Sequence, residues 1–301
     1  MTLIEILQQA CAELALPAPS AAIGATDDGP RQMTALLWAA GSALCWRANW
    51  RQLLRSWEVT TSGVSSAATT TAGSATLTGV TQAGQVVVGS AVNGPGIPQL
   101  ARVVSVTLPG TVVISVPATA SGSATLQFWR TAYPVPADWL RPVDQTQWDV
   151  TGAWPLSGPT GSQHWHAARS ALAHPGVRHL FRLEGRDLVF FPPPAPGLRV
   201  VSEYVSSHWI RTPAGGTADR FAADGDLPVF DGPLLVRGLI AAWRRANGFS
   251  DRDDAQAYLR LTELAIDQNT GAEPLSLMGG VIGAHGVLNP GLLPDGNWPG
   301  P

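Results

Sequence analysis

The chain opens on a helical period. Thr2 and Glu5 form a T-x-x-E capping box. Leu3, Ile6, Leu7, Ala10, Cys11 and Leu14 then recur at the spacing of one buried helix face. Pro17 and Pro19 end the pattern. After a loop from Ser20 to Gly29, Asp28 and Pro30 suit the start of a second helix. On it, Leu36, Leu37, Ala40, Leu44 and Ala48 predict a buried stripe, with Trp38, Trp46 and Trp50 close by. The two helices are expected to pack as an antiparallel pair. At Trp57 the period changes, and Glu58-Val-Thr-Thr reads as the start of a strand.

Between residues 59 and 129 the period is two. Alternation runs through Ser74–Val80, Gln85–Val88, Arg102–Val106, Thr111–Val116 and Ser123–Phe128. Gly84, Asn93-Gly-Pro-Gly96, Pro109-Gly110 and Ser121-Gly122 separate the runs as turns. Short strands at this spacing predict a small β-sandwich or barrel. A low-complexity linker would lack the alternation.

Beyond Arg130 the strand pattern resumes, and Ala132–Trp139 is extended and proline-stiffened. A short helix is predicted from Ser162 to about Ala173. A β-meander follows: His179–Glu184, Asp187–Phe191 and Leu198–Ile210, with a turn at Gly185 and a break at Pro192–Pro194. Asp231 is placed to cap a helix from Pro233 to Asn247 that Gly248 ends. Ser250, with Asp253 after it, is placed to cap another reaching about Gln268. The predicted fold class is α+β. It has a helical core of about four main helices with a small antiparallel β-meander. An inserted all-β sandwich- or barrel-like module and an extended C-terminal tail complete it.

Charge changes this picture by dividing the chain. Residues 1–58 carry four arginines and five acids, and residues 59–129 carry Arg102 alone. Residues 130–270 carry fourteen arginines and fifteen acids, and residues 271–301 two acids and no arginine. We therefore expect a discontinuous core of 1–58 and 130–270, an inserted β-module at 59–129 and a docking tail at 271–301. The tail holds eight glycines and five prolines, which deny it a helix or central strand. Leu288, Leu292, Leu293 and Trp298 punctuate it as spaced apolar anchors, which gain free energy only when buried.

All 19 basic residues are arginine and the net charge is −3, so there is no global basic footprint for nucleic acid. Two cysteines exclude a disulfide-dense scaffold. Glu5 and Glu13 interrupt any apolar leader, and no run spans a bilayer; a soluble protein made in the cytoplasm is expected.

The candidate chemistry is thin. His164-Trp-His166 lacks a further ligand at metal-site spacing. Asp251-Arg-Asp-Asp254 lacks the glycine and terminal glutamate of a calcium loop and reads as a helix start. Cys11 and Cys45 lie on apolar helix faces as small hydrophobes. Arg182 and Arg186 flank a strand turn, and Arg244-Arg245 ends a helix. These could meet phosphates or a partner's carboxylates. No nucleophile elbow, P-loop or dinucleotide fingerprint is present. No enzyme activity, cofactor or metal is expected. The twelve tryptophans suit cores and interfaces.

The order of the parts resembles a family. Thr2–Glu13 precedes a Pro-x-Pro break and a Gly-Ala-Thr-Asp-Asp loop; Arg31-Gln32 opens a helix ending in Trp46-Arg-Ala-Asn-Trp-Arg-Gln-Leu53. Tyr133–Trp139, Gly158-Pro, Phe190-Phe-Pro-Pro193, Ser202–Trp209, Asp224-Gly-Asp226 and Leu235–Arg244 follow in turn. Over 1–58 and 130–270 this resembles the head-to-tail adaptor (connector) proteins of short-tailed bacteriophages. The block at 59–129 departs from that pattern and is similar to small β-modules of phage structural and fibre proteins.

The resemblance implies a virion protein of the neck between head and tail, assembled in the host cytoplasm. It implies a homo-oligomeric ring of twelve subunits joining the portal protein to the tail nozzle, with tail fibres as a further partner. DNA would pass through the lumen without sequence-specific binding, and no membrane is involved. Leu288, Leu292, Leu293 and Trp298 would be the portal-docking anchors. The competing expectation is a surface-binding module in which 59–129 recognises a host glycan or protein.

Overall fold

Seven residues from Leu54 to Thr60 run antiparallel to Arg199–Ser206, in register from Leu54 opposite Val205 to Thr60 opposite Arg199. This pairing of distant segments organises the chain. The computed structural model describes residues 1–170 and 179–270. Trp139–Pro142 and Trp148–Asp149 also pair with Arg199–Ser206, and Trp154–Pro155 with Trp148–Asp149, which gives a five-stranded sheet.

Strand geometry sends alternate side chains to opposite faces, so this sheet has two buried sides. Leu54 and Val205 join the helices on one side. Trp57, Val59 and Val200 face the other and pack on Tyr133, Phe181, Leu188 and Phe190. Those residues belong to a second sheet, Leu180–Glu184, Asp187–Phe191 and Ala132–Pro134. Its far face, through Leu180, Val189 and Phe191, is covered by Trp165 and Ala168 of a short helix.

The helices are α1 (Leu3–Glu13), α2 (Asp28–Arg47), α3 (Ser162–Arg169), α4 (Gly232–Ala246) and α5 (Arg252–Thr270). The capping box of α1 is formed, with Thr2 N donating to Glu5 Oε2 at 2.8 Å and Glu5 N to Thr2 Oγ1 at 3.4 Å. On α2 the buried stripe is Met33, Leu37, Gly41, Leu44 and Cys45, rotated from the predicted one; Asp27, not Asp28, holds the N-cap position. Gly41 sits in the stripe because a Cβ there would overlap the Trp209 indole. Helix α4 buries Leu234, Leu235, Val236, Gly238, Leu239, Ile240 and Ala241, nearly its whole circumference. Helices α1, α2 and α5 all pack on it.

The helical-core expectation is therefore overturned. The described residues hold five helices and seventeen strands in five small antiparallel sheets, and eleven of those strands lie outside the insert beside the helices. The predicted meander also differs. Arg199–Ser206 leaves its neighbours to centre the five-stranded sheet, and Ala132–Pro134 takes its place. The physical reason is that two- to four-residue strands in proline- and tryptophan-rich segments show no periodicity, and long-range pairing alone defines them.

Within 59–129, Gly63–Thr70 pairs along its whole length with Gly122–Trp129, which also pairs with Ala91–Asn93. A second sheet joins Thr76–Leu77, Thr111–Ile114 and Val103–Thr107. Val64, Leu77, Val103, Val112, Ile114, Leu126 and Phe128 form a core cluster of their own. The predicted run Gln85–Val88 is a short 3-10 turn and a loop. Among the described residues no helix is long and apolar enough to cross a membrane.

Candidate interaction surface

Most side chains that sequence spacing singles out for chemistry are occupied structurally. Cys45 Sγ lies 3.4 Å from Gly41 O, and burial pushes its thiol pKa up to about 12. Burial also raises that of Cys11, whose Sγ lies 3.5 Å from Met33 Sδ. Thiols held protonated are poor nucleophiles. His164 and His166 are exposed on α3, and His179 Nδ1 lies 3.0 Å from Pro192 O. Among the described residues no three His, Cys, Asp or Glu gather as metal ligands.

Several arginines are engaged by groups of the same chain. Arg244 meets Asp254 at 2.9 Å and Arg245 meets Asp251 at 2.7 Å, so both join the start of α5 to the end of α4. Arg186 donates to the carbonyls of Pro136 and Ala137 at 2.7 Å each. Arg182 donates to Glu184 Oε1 at 2.6 Å and lies over the Trp165 ring, 4.7 Å from its centroid. Arg199 pairs with Glu58 across the two long strands, and this hydrogen bond holds the Glu58 carboxyl below its usual range.

Several large apolar side chains are exposed. Trp46 is 59% exposed near the end of α2. Phe249, 60% exposed, stacks on Trp243 with centroids 5.8 Å apart. At the opposite end of α4 a cleft opens, with two adjoining lobes of about 250 and 410 Å3. Trp50, Phe230 and Leu234 line it from one side and Leu261, Leu264, Ala265 and Gln268 of α5 from the other. Leu264 is 56% exposed on its wall. A concavity walled by apolar side chains, one of them exposed, is the candidate interaction surface. The predicted anchors Leu288, Leu292, Leu293 and Trp298 lie outside the described residues.

Two polar clusters hold distant segments of the core together. The Asp224-Gly-Asp226 turn reaches across the molecule to the N-terminal segment. Asp224 Oδ1 accepts Ala22 N at 3.0 Å and Ile23 N at 2.7 Å. The backbone carbonyls of Asp224 and Asp226 accept Ile4 N and Leu3 N at 3.2 and 2.9 Å. Asp138 accepts the Tyr204 hydroxyl at 3.0 Å and Ser206 Oγ at 2.7 Å. Burial foremost, and then this carboxylate, push the Tyr204 pKa up to about 12.

The insert joins the core through a small lock. Tyr133 Oη accepts Ser62 N at 2.8 Å and donates to Arg130 O at 3.1 Å, tying the two crossing chains together. Arg102, the insert's one charge, donates to Thr131 Oγ1 at 3.0 Å and Gly89 O at 3.2 Å. No known family pattern matches the chain, and no curated protein matches it.

Proposed function

We propose that this chain is a structural subunit of a short-tailed phage virion. It forms a ring, of twelve copies by the resemblance, that joins portal to tail nozzle and continues the DNA channel. The observation that carries the reading is the ordered run of sequence signatures over 1–58 and 130–270. Two features of the subunit support it. Its exposed aromatic and apolar groups, Trp46, Phe249 and Leu264, lie on several sides, as a ring subunit contacting two neighbours requires. Its prominent arginines are engaged by acids and carbonyls of the same chain, which suits a wall along which phosphates slide. Leu288, Leu292, Leu293 and Trp298 are the proposed portal anchors.

Electron microscopy of the purified protein with and without portal tests the reading. A portal-dependent ring is expected; monomers that ignore portal would overturn it. Truncation at Gly271 is expected to keep the fold and weaken attachment, and unchanged affinity would remove the tail from the portal contact.

The insert favours one second reading, recognition of a host molecule by 59–129. Val88, Val104 and Leu108 are 60%, 54% and 66% exposed on it, apolar groups placed to meet another protein. Binding of intact protein to host envelope extracts, lost on replacing these three by serine, would favour this module over the adaptor.

A further inference from the structure

Arginines from separate elements gather where the insert meets the core. Arg102, the single charge of 59–129, is half-buried and reaches out of the insert, its Nη1 donating to Thr131 Oγ1 at 3.0 Å. Thr131 is buried, and its carbonyl accepts Phe190 N at 2.9 Å in the three-stranded core sheet. The next residue, Ala132, packs against Trp165 and Ala168 of α3. Arg169 follows Ala168 and ends that helix, one turn or about 6 Å beyond Trp165. Arg182 lies over the Trp165 ring, 4.7 Å from its centroid. Arg130 stands beside Thr131 with its Nε donating to Ala132 O at 2.7 Å.

These guanidiniums are not equally satisfied. Arg182 donates to Glu184 Oε1 at 2.6 Å. Arg102, Arg130 and Arg169 make no ion pair among the described residues. The Nε of Arg169 is buried and has no hydrogen-bond partner among them. A cation suits the C-terminal end of α3, yet no carbonyl there accepts from this nitrogen. Arg102 and Arg169 also oppose each other. Burial first, and then the charge of Arg169, hold the Arg102 pKa below its ordinary value, with Glu184 offsetting part of the shift. The hairpin turn brings a second acid, Asp187, opposite Glu184, and it pairs with none of these arginines. Four guanidiniums therefore share the seam with two carboxylates, and one of those carboxylates is committed to Arg182.

A buried donor on a charged group is costly without an acceptor, and two facing cations add to that cost. An anion with several oxygens relieves both at once, because a guanidinium presents its N–H groups as a planar fork matched to carboxylate and phosphate oxygens. We infer that the seam between insert and core binds a phosphate-type oxyanion, held between Arg102 and Arg169. Its oxygens accept from Arg169 Nε and from the Arg102 nitrogens other than Nη1, which Thr131 and Gly89 engage. Arg182, fixed on Trp165, walls the site. The bound anion ties the insert to α3. The site lies within one subunit and holds whether or not the protein forms rings.

Calorimetric titration of the full chain with inorganic phosphate, at constant ionic strength made up with sodium chloride, tests this. Constant ionic strength removes general screening. Saturable binding of one phosphate per chain is expected. Loss of one charged hydrogen-bonding partner weakens binding about tenfold or more, so Arg169→Gln is expected to show that loss. Arg169→Lys keeps the charge without the fork and is expected to bind severalfold more weakly than the native chain. Arg211→Gln removes an exposed arginine of another sheet and is expected to change nothing. Absence of saturable binding overturns the proposal. So does an Arg211→Gln effect equal to that of Arg169→Gln, which would make the attraction one of diffuse charge. Native affinity in both Arg169 variants overturns it as well. Displacement of phosphate by a short oligothymidylate would support the site and assign its anion to a nucleic-acid phosphodiester; no displacement would support the site and assign it to the free ion.

Discussion

Asp224 is the sharpest test of how the N-terminal segment is held to the rest of the core. One carboxylate oxygen accepts two backbone N–H groups from a segment 200 residues away, at 3.0 and 2.7 Å. Ala22, one of the donors, is 4% exposed, so little water can replace the lost partner. A hydrogen bond to a charged group contributes ~1.5–3 kcal/mol. Asp224 is itself half-buried, so the low end applies, and Asp224→Ala is expected to cost about 2–4 kcal/mol. Asp224→Asn keeps a carbonyl oxygen in the accepting position and loses only the charge assistance, for a cost of about 1 kcal/mol.

For a chain of this size 1 kcal/mol moves the midpoint by roughly 2–4 °C. Alanine should therefore lower the melting temperature by roughly 5–15 °C and asparagine by a few degrees. Calorimetry gives the order wild type, Asn, Ala. Hydrogen exchange locates the effect: amides of Ala22, Ile23 and the first turn of α1 should lose protection while 63–129 keep theirs. If alanine stays within ~0.5 kcal/mol of wild type, or asparagine is as damaging as alanine, acceptance of these two N–H groups is not what holds the N-terminal segment.

Three further outcomes follow from the packing and the titrating groups. Gly41→Ala places a methyl in the Trp209 ring and should destabilise by about 1–3 kcal/mol in chemical denaturation; a stable variant would show that α2 can shift. All three tyrosines, 133, 204 and 258, have raised pKa values, burial being the first cause in each. Tyrosinate absorbance of the folded protein at pH 10 should lie below that of the denatured chain, whose tyrosines are about half-titrated there. The stability linked to Tyr204 is fully present below about pH 10 and is lost as pH rises through about 12; a tyrosine titrating normally in the folded state would contradict this. Excision of 64–128 with Gly63 rejoined to Trp129 should leave the helical circular dichroism intact, because those two residues are register partners; loss of that signal would mean that the core depends on the insert.

Elements defined by a local period were legible in the sequence, and those defined by a distant partner were not. Helix α1 could be read to its cap, because Thr2, Glu5 and the apolar spacing all lie within one segment. Helix α2 was legible as a helix but not in its facing, since Gly41 is buried for the sake of Trp209, and no local rule makes a glycine a core position. Strand Gly63–Thr70 buries Val64, Ser66, Ala68 and Thr70 in strict alternation, yet two of these four are polar, and hydrophobicity alone missed it. The pairing of Leu54–Thr60 with Arg199–Ser206 spans about half of the chain and has no local trace. At the candidate surface, Trp46 and Trp50 look alike in sequence. One is 59% exposed and the other 2%, because Trp50 Nε1 reaches Leu44 O at 2.6 Å as its ring turns beneath Phe230.

The same contrast bears on how an all-β block can sit inside another fold. The strands that enter and leave it, Gly63–Thr70 and Gly122–Trp129, are paired with each other from their first residue, so the block closes on itself at its base. Closing a loop whose ends are already adjacent adds little entropy cost to the host, whatever the loop contains. The host, for its part, keeps its own continuity without the block. Leu54–Thr60 enters the five-stranded sheet before the insert and Ala132–Pro134 the three-stranded sheet after it, and these two sheets pack face to face through Trp57, Val59, Tyr133 and Phe190. The Tyr133 hydroxyl stands at that junction with bonds to both crossing chains. Tyr133→Phe should leave both cores folded and loosen the angle between them, and small-angle scattering would detect that change; an unaltered profile would assign the orientation to Arg102 and Thr131 instead.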